Sequence, residues 1–452
     1  MKYDHYRQAE MPWIESLPVH WNQIRNGGIF DPHQDKVGER YTEFSLLSLT
    51  TQGVRCKDIH DVKGKVPASY DSYQVVNPGD MIFCLFDLDC SAVFSGLSEY
   101  RGMITSAYDV MKPKASMVNS RYLDYWFQSV FAGRYYKIFA KSVRYTINYD
   151  IFKALKTPVP PREEQDQIVR YLDWQVSKIN KLIHGYQREI KLLEERRYTI
   201  VDNAVTKGIQ SNRKMQNLEG NWMGTIPADW KMIPSKRLFA ESKERKMPND
   251  RPATASQKYG IIAQEDYMRI EGKRIVIATQ GLDDWKHVEP DNFVISLRSF
   301  QGGIERSAIS GCVTWHYIVL IPQKGVTPQY FKWLLKSKSY IKALQGTSEF
   351  IRDGQDLRYS NFIKVDLPLV PIGEQLEIAQ YIEEETKKID AAIPAIQREI
   401  DLLREYRTRL ISDVVTGQMD VRDIAIPDYT PEDDTEENSD DLAEEEVDAD
   451  AE

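Results

Sequence analysis

The 452-residue chain has little of what marks a secreted protein, a membrane protein or a stand-alone enzyme. Its four cysteines, Cys56, Cys84, Cys90 and Cys312, stand far apart and form no Cys-x-x-Cys. That excludes a disulfide framework and a zinc ribbon. No run of 18 apolar residues occurs and the mean hydropathy is -0.50, so no membrane-spanning helix is expected. The opening Met1-Lys2-Tyr3-Asp4-His5-Tyr6-Arg7 has no apolar h-region, and the expectation is a cytoplasmic protein. Gly-x-x-x-x-Gly-Lys-Ser/Thr and Gly-x-Gly-x-x-Gly are absent, so no phosphate-cradling loop is visible. His-x-x-x-His, Gly-x-Ser-x-Gly and the Asn/Asp-Pro-Pro-Tyr/Phe of amino-methyltransferases are absent too. Asp229 followed by Glu244-Arg245-Lys246 is superficially similar to a nuclease Asp…Glu-x-Lys arrangement. It is set aside, because His20 stands at the sister position of Asp229 and Glu244 lies in a solvated charge run.

Charge is divided unevenly along the chain. From Asp428 to Glu452, 14 of 25 residues are acidic and none is Lys or Arg. The preceding 427 residues carry 59 basic and 54 acidic side chains, a net +5. The acidic tail has almost no apolar content and is expected to be disordered. A mildly basic body permits nucleic-acid binding without requiring it.

An internal duplication is the most informative feature. Aligned at an offset of 210 without a gap, Glu164–Thr206 and Glu374–Thr416 share 17 of 43 residues. Trp13–Trp21 resembles Trp222–Trp230 more weakly, and Gly102–Thr105 resembles Gly311–Thr314. Each strongly matched segment carries a seam of 4-3 spacing. The first is Leu172, Val176, Ile179, Ile183, Tyr186, Ile190, Leu193, Arg197, Ile200 and Ala204. The second is Ile382, Thr386, Ile389, Ile393, Ile396, Ile400, Leu403, Arg407, Leu410 and Val414. A 3.5-residue period marks a coiled coil, here roughly 60 Å long at 1.5 Å per residue. Pro394 inside the second seam should kink that helix. Arg197 and Arg407 occupy equivalent seam positions. Each is either a snorkelling arginine with its head in solvent or a buried charge that fixes register or holds a partner.

Between the seams the sequence reads as mixed α/β. Met81–Leu85, Phe293–Leu297 and Tyr317–Ile321 have the pattern of strands, and Tyr122–Phe131 and Tyr330–Leu335 that of following helices. Thr157–Pro161 and Leu367–Pro371 are extended exits into the long helices. Loops rich in Arg, Lys, amide and hydroxyl side chains stand at matched places in the two halves, as base edges and phosphates would require. The candidate DNA-binding residues are Thr51, Gln52, Arg55, Lys141, Ser142, Arg144, Tyr145 and Asn148 in the first half. In the second half they are Arg298, Ser299, Gln301, Thr347, Ser348, Arg352, Gln355 and Arg358. No catalytic or metal-ligating residue is proposed.

These residues resemble a known family, the specificity (S) subunits of Type I restriction–modification systems, over nearly the whole chain except the acidic tail. Gly224-Thr225-Ile226-Pro227-Ala228-Asp229-Trp230 looks like that family's Gly-x-Ile-Pro-x-x-Trp opening. Pro161-Arg162-Glu163-Glu164-Gln165 and Pro371-Ile372-Gly373-Glu374-Gln375 look like its Pro-x-x-Glu-Gln helix start. Val415-Thr416-Gly417-Gln418-Met419-Asp420-Val421-Arg422 looks like its closing segment. The first opening, Glu15-Ser16-Leu17-Pro18, departs by lacking the glycine, and the first helix ends differently, in Thr206-Lys207-Gly208. The resemblance implies an α+β chain of two pseudo-symmetric mixed α/β target-recognition domains, residues 1–160 and 209–370. Two long antiparallel coiled-coil helices, 161–208 and 371–418, separate them, and 419–452 forms a C-terminal segment with the acidic tail. It further implies double-stranded DNA as ligand, read as a bipartite, non-palindromic site. Two methyltransferase subunits carrying S-adenosylmethionine and two restriction/translocase subunits using ATP and Mg2+ are the implied partners. The chain itself would be non-catalytic and hold no cofactor. A fused methyltransferase-nuclease enzyme and a coiled-coil scaffold without DNA specificity are the alternatives.

Overall fold

A computed structural model describes residues 2–33, 35–51, 53–57, 69–114, 116–140, 144–272, 284–296, 299–347 and 357–431. The acidic stretch 432–452 lies outside them. Among the described residues, no helix is long and apolar enough to cross a membrane. The chain is mixed helix and strand, with long helices at Arg162–Lys207 and Ile372–Val415. It groups into two compact units that cut both helices near their middles. Unit 1 runs to Gln187 and resumes at Gln397; unit 2 is Arg188–Ile396.

Both units contain the same four-stranded antiparallel sheet. In unit 1 the order is Phe30–His33, Asp109–Pro113, Met81–Phe83, Ser95–Leu97. In unit 2 it is Phe239–Glu241, Ile318–Pro322, Phe293–Ile295, Glu305–Arg306. Met81–Phe83 and Phe293–Ile295 are buried at every position, which explains why these strands read as short apolar runs rather than alternating ones. A cluster of phenylalanines is built into each core, and two of them, Phe30/Phe239 and Phe152/Phe362, stand at like places. Phe83 sits 5.5 Å from Phe30, 4.9 Å from Phe127 and 4.9 Å from Phe152, ring centre to ring centre. Phe239 sits 5.4 Å from Phe293, 5.2 Å from Phe331 and 5.9 Å from Phe362. Burying each such ring is worth about 1.5–3 kcal/mol.

The exits are extended, and each pairs with an earlier strand. Lys156–Val159 runs antiparallel to Asn22–Arg25, and Leu367–Leu369 to Lys231–Ile233. Every residue of both seams is buried or half-buried. Within unit 1 the long-helix segments run antiparallel. Asn180 meets Arg407, while Tyr171 and Gln167, further back, meet Met419 and Val421 just past the second helix. Within unit 2, Arg197 meets Asp390, while Val201 and Val205 share a core with Ile382 and Ile378, the same antiparallel sense. The second helix continues through Pro394.

Candidate nucleic-acid interface

What fixes each globule on its helix is the Glu-Gln pair. Glu164 is buried and accepts from Tyr3 Oη at 2.6 Å and Trp21 Nε1 at 2.9 Å, with His20 Nε2 at 2.8 Å. Glu374 accepts from Trp230 Nε1 at 3.0 Å and pairs with Arg213, which also pairs with Asp229. Asp229, the nuclease-like aspartate of the sequence, is therefore a structural ion-pair partner. The Arg213 hydrogen bonds hold its carboxyl below the usual value. Gln165 Oε1 accepts from Asn119 N at 2.8 Å, and its Nε2 donates to Pro160 O at 2.9 Å. Gln375 repeats this on Thr327 N at 2.8 Å and Val370 O at 2.7 Å. Sequence reading took these residues only as a helix-start signature. The signal for their role was there: the same Trp and the same Glu-Gln recur in both halves at nearly equal separation.

Arg197 and Arg407 resolve the two readings left open above. Arg197 Nε donates to Asp390 Oδ1 at 2.7 Å, and Arg407 Nη1 to Asn180 Oδ1 at 2.7 Å. Shifting by 210 turns one pair into the other. Each is a half-buried polar contact across the seam, suited to fixing register.

On this scaffold unit 1 brings two loops together. Arg144 makes a two-pronged pair with Asp87, Nε–Oδ1 2.9 Å and Nη2–Oδ2 2.7 Å. Asp87 N donates to Arg144 O at 2.9 Å, and Ile147 N to Leu85 O at 2.9 Å. The Arg144 hydrogen bonds hold the Asp87 carboxyl below its usual value. Tyr145 has φ 44° and lies under Lys137 Nζ at 4.3 Å. Asn148 caps the helix Tyr149–Ala154, its Oδ1 accepting from Ile151 N at 2.9 Å. An exposed ion pair such as Arg144–Asp87 contributes little to stability, so a phosphate can replace the carboxylate at little cost.

Thr51 is exposed at the turn of the hairpin Ser45–Thr50/Gly53–Lys57, and Arg55 lies on its second strand. Both border a cleft of about 920 Å³ in unit 1. The cleft floor is a closed network, with Arg121 on Asp124 at 3.1 Å and on Asp173 at 3.2 Å, and Tyr125 Oη on Asp173 at 2.6 Å. Burial pushes the Asp124 carboxyl up, against the Arg121 charge.

In unit 2 Gln301 is exposed on the short helix Ser299–Gly302. Gly303 closes that turn at φ +84°, where a Cβ would stand 2.4 Å from Leu335 O. Ser299 does not face outward. It is fully buried, and its Oγ accepts from Ser296 N at 2.9 Å, so its hydroxyl shapes the loop from inside. Thr347 donates its hydroxyl to Leu344 O at 2.7 Å, and Arg358 is exposed where the helix Tyr359–Phe362 begins. Gln52, Lys141, Ser142, Arg298, Ser348, Arg352 and Gln355 lie outside the described residues. Among the described residues no group of three or more His, Cys, Asp or Glu could hold a metal ion.

No protein-family model matches the chain. It is 22% identical over 448 residues to a putative type I restriction enzyme MjaX specificity subunit of Methanocaldococcus jannaschii, covering 93% of this chain and 98% of that one. It is 20% identical over 372 residues to the type I restriction enzyme MjaVIII specificity subunit of the same organism, covering 77% and 81%. Its fold matches a chain from a solved structure of type I R-M system assembly and conformational transition. That match has a TM-score of 0.61 at 14% identity, and covers 89% of this chain and 99% of that chain. The likeness is thus to a class of subunits, the specificity subunits of type I restriction enzymes. More particularly, the chain is similar almost end to end to type I restriction enzyme specificity subunits, and the resemblance read from its sequence is borne out.

Proposed function

We propose that the chain is the specificity subunit that directs the methyltransferase and restriction subunits of a type I restriction–modification complex to a bipartite, non-palindromic DNA site. The observation that carries this is the doubling of one scaffold under two different sets of loops, in a chain alike along 93% of its length to a specificity subunit. Residues 1–160 and 209–370 act as the two target-recognition domains, and the long helices set the spacing between half-sites. Divergent loops make the half-sites different, hence the non-palindromic site. Thr51, Arg55, Arg144, Gln301 and Arg358, together with Arg298, contact bases or phosphates. Methyltransferase subunits dock on the helices, which leave Leu182, Leu402 and Tyr406 exposed in unit 1 and Leu192, Leu376 and Tyr381 in unit 2. S-adenosylmethionine, ATP and Mg2+ belong to those partners, in the cytoplasm.

The test is methylation mapping across a genome with the chain co-expressed beside its methyltransferase. Arg298→Ala should weaken one base position by about 1–3 kcal/mol, only in the half-site read by the second domain. Seven residues inserted near Ile396 keep the heptad face and should change the gap while both half-sites persist. Methyl transfer by the isolated chain, or an insertion that changes the bases read, overturns this function.

A further inference from the structure

One charge run of the sequence, Glu244-Arg245-Lys246, is not absorbed by the loops above. In unit 2 it lies beside the strand Lys286–Val288, with Arg245 directly opposite Lys286 in an isolated antiparallel bridge. Two cations facing each other across strands destabilise the pair. Lys286 Nζ spans to Tyr317 O at 2.7 Å, and so marks the neighbouring turn Thr314–Tyr317. That turn carries Trp315, 53% exposed, stacked on the exposed His316 with ring centres 3.4 Å apart. Lys243, two residues before Arg245, is exposed as well. Half-burial pulls the Lys286 ammonium below its usual pKa, with Glu241 opposing. The counter-ion of Arg245 is Asp284 at 3.4 Å, an exposed pair that contributes little.

Unit 1 supplies the internal control. There the equivalent bridge is Lys36 opposite Gln74, and Gln74 Nε2 donates to Tyr108 O at 2.6 Å, just as Lys286 does to Tyr317. Its turn Thr105–Tyr108 carries Ser106 and Ala107 where unit 2 carries Trp315 and His316. The same backbone is therefore stable with neutral, small residues at these places. Unit 2 has instead placed a second cation and an exposed Trp-His stack there, at a cost the fold does not require. That combination suits a polyanion with apolar sugar surface: cations for phosphates, flat rings for deoxyribose.

We propose that Lys243, Arg245, Lys286, Trp315 and His316 form a sequence-independent contact for the sugar–phosphate backbone of duplex DNA, present in unit 2 and absent from unit 1. It rests on the reading of the chain as a DNA-binding subunit. The contact holds DNA beside the half-site without choosing its bases.

The experiment uses the full chain in complex with its methyltransferase partner and a 30-base-pair duplex of arbitrary sequence. Affinity is followed by fluorescence anisotropy from low to physiological salt. The variant Lys286→Gln/Trp315→Ser/His316→Ala installs what unit 1 already tolerates, and Lys243→Gln alone alters a single exposed side chain. The triple variant should bind about tenfold more weakly, and each lost phosphate contact should make the salt slope shallower by about 0.9. Methylation mapping should return the same bases in both half-sites. Unchanged affinity and slope in both variants overturn the contact while leaving the functional reading intact. So does loss of methyltransferase association at unchanged DNA affinity, which would make the patch a protein interface. A wild-type complex that binds no duplex at all overturns the functional reading and this contact with it.

Discussion

Unit 1 and unit 2 are the same construction closed in two different ways. In unit 2 the chain runs continuously from the end of the first long helix into the globule. Gly208 and Arg213 pass beside Trp230 and Glu374 on the way. In unit 1 the same place is filled by Tyr3–Tyr6 and by the segment Gly417–Arg422 that follows the second long helix. Tyr6 Oη donates to Gly417 O at 3.0 Å, Arg422 lies 4.9 Å over the Tyr3 ring, and Gly417 abuts Pro18 and Trp21. Both locks are a buried carboxylate gripped by an indole; an arginine completes the one on Glu374, a tyrosine and a histidine the one on Glu164. The difference teaches which parts are scaffold. The core pairs Phe30/Phe239 and Phe152/Phe362, the Trp-Glu lock, the Gln clamp and the seam arginine recur, whereas loops, turn tips and charge do not.

The sharpest way to break the comparison is to remove one matched core ring from each unit. Phe30→Ala and Phe239→Ala should each cost about 3–5 kcal/mol, because a buried ring is lost and its cavity stays. Amide hydrogen exchange should show lost protection in the altered unit alone. Equal loss in both units after either substitution would end the view that each core is self-contained.

A smaller effect separates the two locks. Glu164→Ala strands the Tyr3 hydroxyl and the Trp21 indole, and each unmade buried hydrogen bond costs about 1–3 kcal/mol. Glu374→Ala strands only the Trp230 indole, since Arg213 retains Asp229. Urea unfolding should therefore rank Glu164→Ala as the more damaging. The reverse order would mean that the Tyr3 contact in unit 1 contributes little to its closure.

Period and repetition made the scaffold legible in the sequence. A 4-3 seam can only be a long packed helix, and its recurrence at 210 residues announced two equivalent halves. The lock was half legible: Trp21, Trp230, Glu164 and Glu374 stood out as matched residues, but nothing local says that residues about 143 apart share a hydrogen bond. Loop chemistry was the least legible. Ser299 reads as a surface hydroxyl, because nothing in Arg298-Ser299-Phe300 shows that the short helix turns it inward onto Ser296 N. The two-domain reading of residues 1–160 and 209–370 followed sequence similarity, whereas compactness also places half of each long helix with each globule.

The smallest contrast is one of pH, and it belongs to unit 2 alone. His287 is buried with Nδ1 at 2.8 Å from Asp250 Oδ2 and Nε2 at 2.7 Å from Glu289 Oε1, so both ring nitrogens face carboxylates and both must donate. The corresponding strand in unit 1, Gln74–Val76, has no histidine. Burial alone would lower the imidazole pKa; the hydrogen bonds and charges of Asp250 and Glu289 outweigh it and raise the pKa above the usual histidine value. A pKa raised in the folded state means the imidazolium stabilises unit 2 fully at pH below the unfolded value, about 6.5. That contribution is lost as pH rises through the higher folded value. Protection of the Lys286–Val288 amides should therefore fall as pH rises above about 6.5, beyond the change in intrinsic exchange, while that of Gln74–Val76 does not. His287→Gln keeps polar contacts without a titrating group and should remove the difference. A slope that persists in this variant assigns the pH dependence to another group.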